Sequence, residues 1–294
     1  MKPTYVLLGV DMETDVGSFT PFYEGANYGT PLLLDLFAKK GVKGTFFFTG
    51  DCAKENPHVA RMVADSGNEV GCHSLYHETV GDELFPIPGV KPLLPFEVKP
   101  RIKICKQWVE EASGVTPTSF RCPRLWGSTT VVNSLEELGF TCDVTYPMYF
   151  YREQFGPYHP SRSDWTKKGD SRVLEVPNFA DMTMESKDPP LERDRDQWPL
   201  FRTEGGEYLL ERSKSFLDFC DDKEVARVLA YYIHPWEFWP MQESYNFGEA
   251  TVIPEKFITV NCGEKALIEL RKVIDGLQAM GAQFVTAKGM TEIF

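Results

Sequence analysis

The hydrophobic pattern divides the chain into short apolar runs that alternate with amphipathic helices. Continuous apolar runs are typical of strands buried on both faces of a parallel sheet. The predicted strands cover residues 5–10, 45–48, 69–72, 118–121, 140–144, 172–176, 225–233 and 283–286. Stripes with helical spacing lie between them, over residues 30–40, 57–66, 100–113, 128–138, 206–221 and 264–280.

This alternation predicts a parallel (β/α) barrel of seven or eight units. Composition does not change along the chain, so we expect one domain over residues 1–294. Residues 145–170 are rich in proline and aromatic side chains without a clear period, and they are predicted to be a loop insertion. Residues 193–196, Arg-Asp-Arg-Asp, are predicted to be a solvated mixed-charge loop.

Charge and cysteine content narrow the classes of function. The 294 residues include 31 basic and 43 acidic side chains, a formal charge of −12 that disfavours binding to nucleic acid. Seven cysteines without a CxxC motif predict reduced thiols. The apolar run at residues 5–10 is too short for a signal segment or a membrane span. We therefore expect a cytoplasmic protein without a membrane span.

The segment 67–78 contains two of the five histidines, His73 and His77. In an extended strand they would lie roughly 13 Å apart. A single turn brings positions four apart to about 6 Å, and two imidazoles can then reach one metal ion at about 2.1 Å. The predicted strand 69–72 places the pair just beyond a strand's carboxyl end, although a merely packed or hydrogen-bonded pair is the alternative.

The other notable polar side chains also follow predicted strands. They are Asp11, Glu13 and Asp15 after the first strand, and Arg121, Asp143 and His234 after later ones. In a parallel barrel all these strand ends lie on one rim. Two histidines and one carboxylate leave open positions on a divalent ion, which is typical of a catalytic site. A second carboxylate would take a proton from water, and a further histidine would protonate a leaving group.

Three motifs resemble the polysaccharide deacetylase family. Gly67 to His77 is similar to its HxxxH signature, Phe120-Arg121-Cys122-Pro123 to its Arg-x-Pro motif, and Tyr232-Ile233-His234-Pro235 to its last strand-end histidine. The motifs occur in the family's order, and the resemblance covers most of the chain. It implies a distorted (β/α)7–8 barrel, similar to a TIM barrel, and metal-dependent hydrolysis of N-acetyl groups.

The first motif differs from the family's common form, which has two adjacent aspartates. Here the acids are separated, as Asp11-Met12-Glu13-Thr14-Asp15. The resemblance implies that Asp11 is the base and that Glu13 is a metal ligand with His73 and His77, while Asp15 is the alternative ligand. A structural acid on the barrel rim is the other interpretation of Asp11.

The later motifs give further roles and their alternatives. Arg121 is expected to orient Asp11, or else to form a structural ion pair. His234 is the expected acid, or else a packed core histidine. Asp143 fits the fourth motif by position and is expected to pair with His234, although no tryptophan follows it at short range.

The expected substrate-binding residues are Pro123 and Trp236, with Trp165 as an alternative wall of the acyl pocket. Residues 235–239 form a lid or a packed aromatic loop. Tyr146, Tyr149, Phe150 and Tyr151 either stack on sugar rings or form the core of the loop.

The sequence thus predicts a metal-dependent hydrolase that removes an acetyl or formyl group from an amino sugar. Zinc is the expected ion, with cobalt, nickel or manganese as alternatives. The expected partner is a saccharide or another small amide, and a homo-oligomer is left open. A cyclic amide or imide hydrolase, similar to allantoinase, is the nearest alternative. A carbohydrate-binding barrel without catalysis is the alternative of another class.

Overall fold

The computed structural model describes residues 2–294. Its strands are Thr4–Met12 (β1), Thr45–Phe48 (β2), Glu69–Cys72 (β3), Ser119–Phe120 (β4), Cys142–Asp143 (β5), Leu174–Glu175 (β6), Arg227–Ile233 (β7), Tyr245–Asn246 (β8), Thr251–Val252 (β9) and Gln283–Phe284 (β10). Its longer helices are Thr30–Lys40 (α1), Gly50–Glu55 (α2), Pro57–Asp65 (α3), Pro95–Ser113 (α4), Thr129–Glu137 (α5), Gly206–Asp222 (α6) and Glu264–Ala279 (α7).

Shorter helical turns connect these elements. They are Asp15–Ser18, Gly25–Gly29, Pro123–Leu125, Met148–Tyr151, Arg193–Arg195, Leu200–Thr203, Pro235–Phe238, Lys256–Thr259 and Ala287–Met290. Two of them, Pro123–Leu125 and Pro235–Phe238, directly follow strand ends that carry motif residues. The one-turn segments therefore set the direction in which the chain leaves the barrel at the predicted site.

The main sheet is parallel throughout and curled, and its β1 strand pairs with three others. Strand β1 pairs along one edge with β7, from Thr4 to Val10. Its other edge pairs with β10 near its start and with β2 from Gly9 onward. Strands β2 to β6 continue the sheet in sequence order. After β6, the N–H of Phe179 donates to the carbonyl oxygen of Ala230 in β7 at 2.9 Å, which brings the two ends of the curled sheet together.

The predicted distorted (β/α) barrel is confirmed by this topology. Alternate residues of β1 explain how the core is divided, because successive side chains of a strand point to opposite faces. Val6, Leu8 and Val10 belong to the large cluster that includes the helices. Leu7 belongs to a second cluster with residues of β2, β5, β6 and β7. Asp11 lies on the same face of β1 as Leu7, and this face leads to the rim of the barrel.

The structure differs from the predicted elements in two helices. Helix α2 was not predicted, because six residues are too few to show a helical stripe; Thr49 caps it by accepting from the N–H of Cys52. Helix α4 begins at Pro95, whereas Pro100 was the expected start. Both prolines suit the first turn, but Glu97 accepts from the N–H of Leu94 and so fixes the earlier start.

No helix within residues 2–294 has both the length and the apolar character that crossing a membrane requires. The seven cysteines are all free, and Cys262 is the one that is not fully buried.

A glycine in β1 makes room for the largest charged side chain in the barrel. A Cβ added at Gly9 would overlap the guanidinium of Arg121, which is fully buried. Gly9→Ala is therefore expected to displace Arg121 from Asp11 and to lower the free energy of unfolding by about 3 kcal/mol, since a buried ion pair loses its partner. Chemical denaturation measures this loss.

Gly156→Ala is the matched control, because a Cβ there meets its nearest neighbour at 3.5 Å, an ordinary contact. Equal stability of the two variants would contradict the steric role given to Gly9.

Candidate functional site

The carboxyl ends of β1, β3, β4 and β7 carry the side chains of the site. Glu13 and His73 follow β1 and β3, while Arg121 and His234 follow β4 and β7. Parallel register keeps these ends level, because Met12 pairs with Phe48 and Phe48 with Cys72. Residues far apart in sequence therefore meet above the barrel, as the sequence predicted.

Glu13 lies at the centre of the group and is 1% exposed. Its Oε2 is 2.6 Å from Nε2 of His77 and 4.0 Å from Nε2 of His73, and its Oε1 is 3.8 Å from Nε2 of His234. Burial alone raises the pKa of Glu13, but the neighbouring histidines outweigh it and hold the pKa far below its usual value. Glu13 is thus a carboxylate at neutral pH.

The turn after β3 gives the two histidines their orientation. His77 adopts a left-handed backbone conformation, with φ of 57°, and the two rings lie 5.1 Å apart. The Nδ1 of His73 lies 2.8 Å from the carbonyl oxygen of Arg121. Since that oxygen can only accept, Nδ1 carries the proton and Nε2 presents a lone pair. Burial lowers the pKa of His73 to about 4, which keeps the ring neutral.

These three residues fit a divalent metal ion. One ligand atom from each of Glu13, His73 and His77 lies within 4.8 Å of the others. The neutral His73, with its lone pair on Nε2, is the form that binds a metal, and its hydrogen bond to a backbone carbonyl is the outer contact that such ligands usually make. Two imidazoles and one carboxylate are ligands that zinc accepts with positions left open.

Asp15, the alternative ligand, lies away from the histidines. Its carboxylate accepts from the N–H groups of Glu24 and Gly25 at 3.0 and 2.9 Å. Burial raises its pKa to about 7. In the structure, Glu13 thus lies with the two histidines, whereas Asp15 binds the backbone of the loop that precedes α1.

Asp11 pairs with Arg121 inside the barrel. Nη1 of Arg121 donates to Oδ1 of Asp11 at 2.7 Å, and its Nε donates to the carbonyl oxygen of Val144 at 2.9 Å. The guanidinium also lies 4.5 Å from the ring centre of Phe47. Fixed on several sides, Arg121 orients the Asp11 carboxylate, which lines the cavity above the barrel.

His234 is held by Glu237, a residue that sequence reasoning missed. Oε1 of Glu237 accepts from the backbone N–H of His234 at 2.9 Å and from its Nδ1 at 3.1 Å. Glu237 is fully buried and forms a 2.9 Å ion pair with Nε of Arg202. Burial lowers the pKa of His234, but the hydrogen bond to Glu237 and the charge of Glu13 outweigh it, so this pKa lies above its usual value.

This arrangement corrects the expectation for Asp143, which does not contact His234. Asp143 is buried within the sheet, where Thr145 donates to Oδ1 and where Glu175 is a close, coupled neighbour. Burial raises the pKa of both carboxyls. A strand-end position in sequence was not enough to place Asp143 on the rim, because its side chain points to the other carboxyl rather than into the cavity.

The expected substrate-binding residues are divided between the cavity and the core. Trp236 lines the cavity, where its Nε1 donates to Glu13 at 3.4 Å. Pro123 is buried and does not line it, whereas the next two residues, Arg124 and Leu125, do. Trp165 packs against Tyr146 and Tyr151 in the core of the insertion.

The aromatic run 146–151 therefore serves mainly as the core of the loop. Tyr149 is the member of that run that also lines the cavity. The segment 235–239 is packed and mostly buried, and its Trp236 stacks on His234 with ring centres 4.8 Å apart.

Sequence reasoning missed most of the cavity wall, which comes from segments outside the barrel. Phe85, Arg193, Trp198 and Phe257 all line the cavity. The loop at residues 193–196, which was expected to be solvated, is solvated only in part: Arg193 is exposed and lies over the ring of Phe85 at 5.3 Å, whereas Asp196 is buried. No period marks these segments, so no sequence signal was available. For Glu237 there was one: its position three residues after His234, within a proline turn, is the spacing of a capping box.

If Glu13 is the metal ligand, substitutions of Glu13 and of Asp15 should have different effects on metal binding. Glu13→Gln, like His73→Ala or His77→Ala, is expected to remove most of the bound divalent ion, because each change removes a ligand or its charge. Asp15→Asn is the control and should retain the ion, since Asp15 accepts from backbone N–H groups instead. Metal content per folded protein decides the matter. Loss of the ion from Asp15→Asn with retention in Glu13→Gln would reverse the assignment.

Comparisons with known proteins agree with this geometry. The family model described as "Polysaccharide deacetylase" matches residues 16–142. The peptidoglycan-N-acetylglucosamine deacetylase of Bacillus cereus is 25% identical over 145 residues, which cover 49% of this chain and 58% of that protein. The peptidoglycan-N-acetylmuramic acid deacetylase PdaA of Bacillus subtilis is 42% identical over 75 residues, 20% of this chain and 28% of that protein. The matched regions thus span about half, or less, of these curated relatives.

A solved structure extends the likeness of the fold to nearly the whole chain. A candidate polysaccharide deacetylase from Mycobacterium smegmatis superposes with a TM-score of 0.62 at 20% identity, over 99% of this chain and 89% of that one. At this identity the likeness concerns the fold alone. Taken with the family match over residues 16–142 and the curated relatives, it shows that the chain has the fold of polysaccharide deacetylases and is similar to them in sequence over the matched region.

Proposed function

We propose that the protein is a metal-dependent hydrolase that removes an acetyl or formyl group from the nitrogen of an amino sugar. The observation that carries this proposal is the meeting of three units at one cavity: the Glu13–His73–His77 set, the Arg121–Asp11 pair and the Glu237–His234 pair. The relatives named above, which act on N-acetylglucosamine and N-acetylmuramic acid in peptidoglycan, support the same chemistry. A single catalytic domain over residues 1–294 is part of the proposal.

The proposed ion is zinc, held by Glu13, His73 and His77, with cobalt, nickel or manganese as alternatives. When bound, such an ion supplies a Lewis acid that polarises an acyl carbonyl and lowers the pKa of water. Metal analysis of the purified protein identifies the ion.

Asp11 is the proposed base. Its carboxylate faces the cavity while Oδ1 is fixed by Arg121, so it can accept a proton from an attacking water without moving. Arg121 is therefore a positioning residue, because it acts through Asp11.

His234 is the proposed acid. Its Nδ1 donates to Glu237, which leaves Nε2 toward the cavity and 3.8 Å from Glu13. An amine leaves poorly as an anion, so protonation of the nitrogen by Nε2 is required when the carbon–nitrogen bond breaks. Glu237 stabilises the protonated ring, and Arg202 keeps Glu237 ionised and in place.

We also propose a cytoplasmic location, which is supported by the seven cysteines. All are free, and thiols persist in reducing compartments. Fractionation of cells that express the protein, with an antibody against it, tests the location directly.

The direct test of the proposed function is amine release from a panel of substrates. N-acetyl and N-formyl amino sugars should release amine, whereas allantoin and cyclic imides, which a cyclic amide hydrolase would open, should be inert. Ring opening without amine release would replace the proposal. Saccharide binding without turnover of any substrate by the metal-loaded protein would instead indicate a carbohydrate-binding barrel.

Substitution of His234 distinguishes a catalytic role of this side chain from a role in packing alone. His234→Ala should retain the metal and bind substrate comparably, while kcat falls by about 10²- to 10⁴-fold. Asp11→Asn should also retain the metal and lose roughly 10²-fold or more in kcat. Thermal stability and kcat are measured on the same preparation. A less stable His234→Ala variant with normal turnover would show that the side chain only packs.

The pH profile tests the role of Glu237. The pKa of His234 is raised, so activity should persist above the ordinary histidine range and fall as pH rises through this raised value. Glu237→Gln keeps a hydrogen-bond acceptor but removes the charge, and it should move the alkaline limb to lower pH by about one unit. Glu243→Gln is the control, because Glu243 is an exposed acid six residues further along the chain, and it forms no hydrogen bond to His234 within residues 2–294. An unchanged alkaline limb in Glu237→Gln would exclude this role.

A further inference from the structure

The cavity above the site is small, and its walls are mostly apolar. Its volume is about 370 Å³, near the lower end of the range for small-molecule pockets. Segments outside the barrel form the wall: residues 85–88, residues 193–198 with Trp198, and Phe257 with Ile258. Such a volume holds one sugar residue with a substituent.

Two arginines face this cavity without a carboxylate partner. Most arginines of residues 2–294 lie within 4.0 Å of a carboxylate oxygen: Arg101, Arg121, Arg152, Arg162, Arg172, Arg195, Arg202, Arg212 and Arg227. Arg124 and Arg193 line the cavity and have none in that part of the chain. The same cavity is lined by the carboxylates of Asp11, Glu13 and Asp196, but each of these already has another partner, and neither Arg124 nor Arg193 forms an ion pair with any of them within 4.0 Å.

Arg124 is held by hydrogen bonds to the turn that follows β3. Its Nη1 donates to the carbonyl oxygen of His77 at 3.0 Å and to Oγ1 of Thr79 at 3.5 Å. Arg124 and Leu125 both have φ of 60°, a strained conformation for these residues that is common at functional sites. This backbone turns both side chains toward the cavity.

Arg193 belongs to a different segment of the cavity lining. Its guanidinium is over the ring of Phe85 at 5.3 Å, which joins two of the segments that close the cavity. The nearest acid in sequence on the cavity wall is Asp196, and its carboxylate is already used: it accepts from the hydroxyl of Tyr232 and the N–H of Trp198. Arg193 is exposed, so its donors are open to a ligand.

We propose that Arg124 and Arg193 form an anion subsite, and that the substrate is a monomer-sized N-acyl amino sugar that carries a phosphate or carboxylate group. This inference rests on the proposed function and defines its substrate class. The shared chemistry is an anionic oxygen group that accepts from two guanidinium groups, which match carboxylate and phosphate in geometry. The flat apolar face of the sugar ring packs on the aromatic wall.

Charge explains why a neutral saccharide fits this cavity less well. A neutral ligand would displace water from Arg124 and leave its free donors without acceptors, at a cost in binding. An anionic ligand supplies these acceptors. Hydrogen bonds to charged groups are worth about 1.5–3 kcal/mol each, so two such contacts are expected to favour an anionic over a neutral monomer by about 10²-fold or more in kcat/KM.

The test compares substrates that differ in charge and in length. Metal-loaded protein is assayed with N-acetylglucosamine, N-acetylglucosamine 6-phosphate, N-acetylmuramic acid and a chitin tetramer. The two anionic monomers should have the highest kcat/KM. Comparison of N-acetylglucosamine 6-phosphate with N-acetylmuramic acid shows whether phosphate or carboxylate is preferred. In Arg193→Met the ratio of anionic to neutral kcat/KM should fall by about tenfold, mainly through KM.

Arg271→Met is the matched control, since Arg271 is an exposed arginine on α7, does not line the cavity, and has no carboxylate partner within residues 2–294. It should keep the full preference for anions. Calorimetric binding of N-acetylglucosamine 6-phosphate to His234→Ala, with and without Arg193→Met, adds a readout that does not need turnover.

The outcomes separate this inference from the proposed function. Equal or better turnover of the neutral tetramer, unaffected by Arg193→Met, would overturn the anion subsite and leave the deacetylase proposal intact. Arginine-dependent binding of the phosphate sugar without release of amine from any substrate would support the subsite and overturn the proposed reaction. Loss of anion preference in Arg271→Met as well would show that net charge alone is responsible, which also overturns the subsite.

Discussion

The ion pair between Arg121 and Asp11, buried inside the barrel, is the interaction on which the site depends. Taking both charges out of water costs several kcal/mol, and the pair offsets that cost only with close geometry and further hydrogen bonds. The structure supplies both: a 2.7 Å contact, backbone carbonyl acceptors for the remaining donors, and the ring of Phe47 beneath the guanidinium. Because Arg121 also accepts from His73 through its carbonyl oxygen, one residue holds both the proposed base and a proposed metal ligand in place.

The same constraint explains the spacing of the acids in the first motif. Positions 9, 11 and 13 lie on the same side of the extended chain, because successive residues of a strand point to opposite sides. Gly9 leaves space for the guanidinium, Asp11 meets its charge, and Glu13 continues beyond the strand to the histidines. A separation of two residues along an extended chain is about 7 Å, which gives the two carboxylates separate positions and separate roles. The separated acids are therefore compatible with the chemistry that adjacent aspartates serve in the common form.

Much of the fold and the centre of the site could be predicted from the sequence. Apolar runs identified every strand of the main sheet, because strands that are buried on both faces cannot contain polar interruptions. Strand-end position then identified Asp11, Glu13, His73, Arg121 and His234. It failed for Asp143, since position along a strand does not tell whether a neighbouring strand offers a buried partner, and here Glu175 does. It missed Glu237, whose role depends on a one-turn helix and on Arg202, 35 residues away.

The cavity wall could not be predicted, and the reason is physical. Barrel strands are specified by a regular pattern of buried residues. The segments around residues 85–88, 193–198 and 257–258 are instead held by individual contacts. Examples are the stack of Arg193 on Phe85 and the hydrogen bonds from Arg202 to the carbonyl oxygens of Phe257 and Val260. Arg202 also pairs with Glu237, so the proposed acid and part of the wall share one anchor. A change in the wall segment 257–260 would therefore alter the surroundings of His234 as well as the shape of the cavity. The shape of the cavity and the proposed protonation step thus depend on the same buried arginine, which neither lines the cavity nor belongs to the Glu13–His73–His77 set.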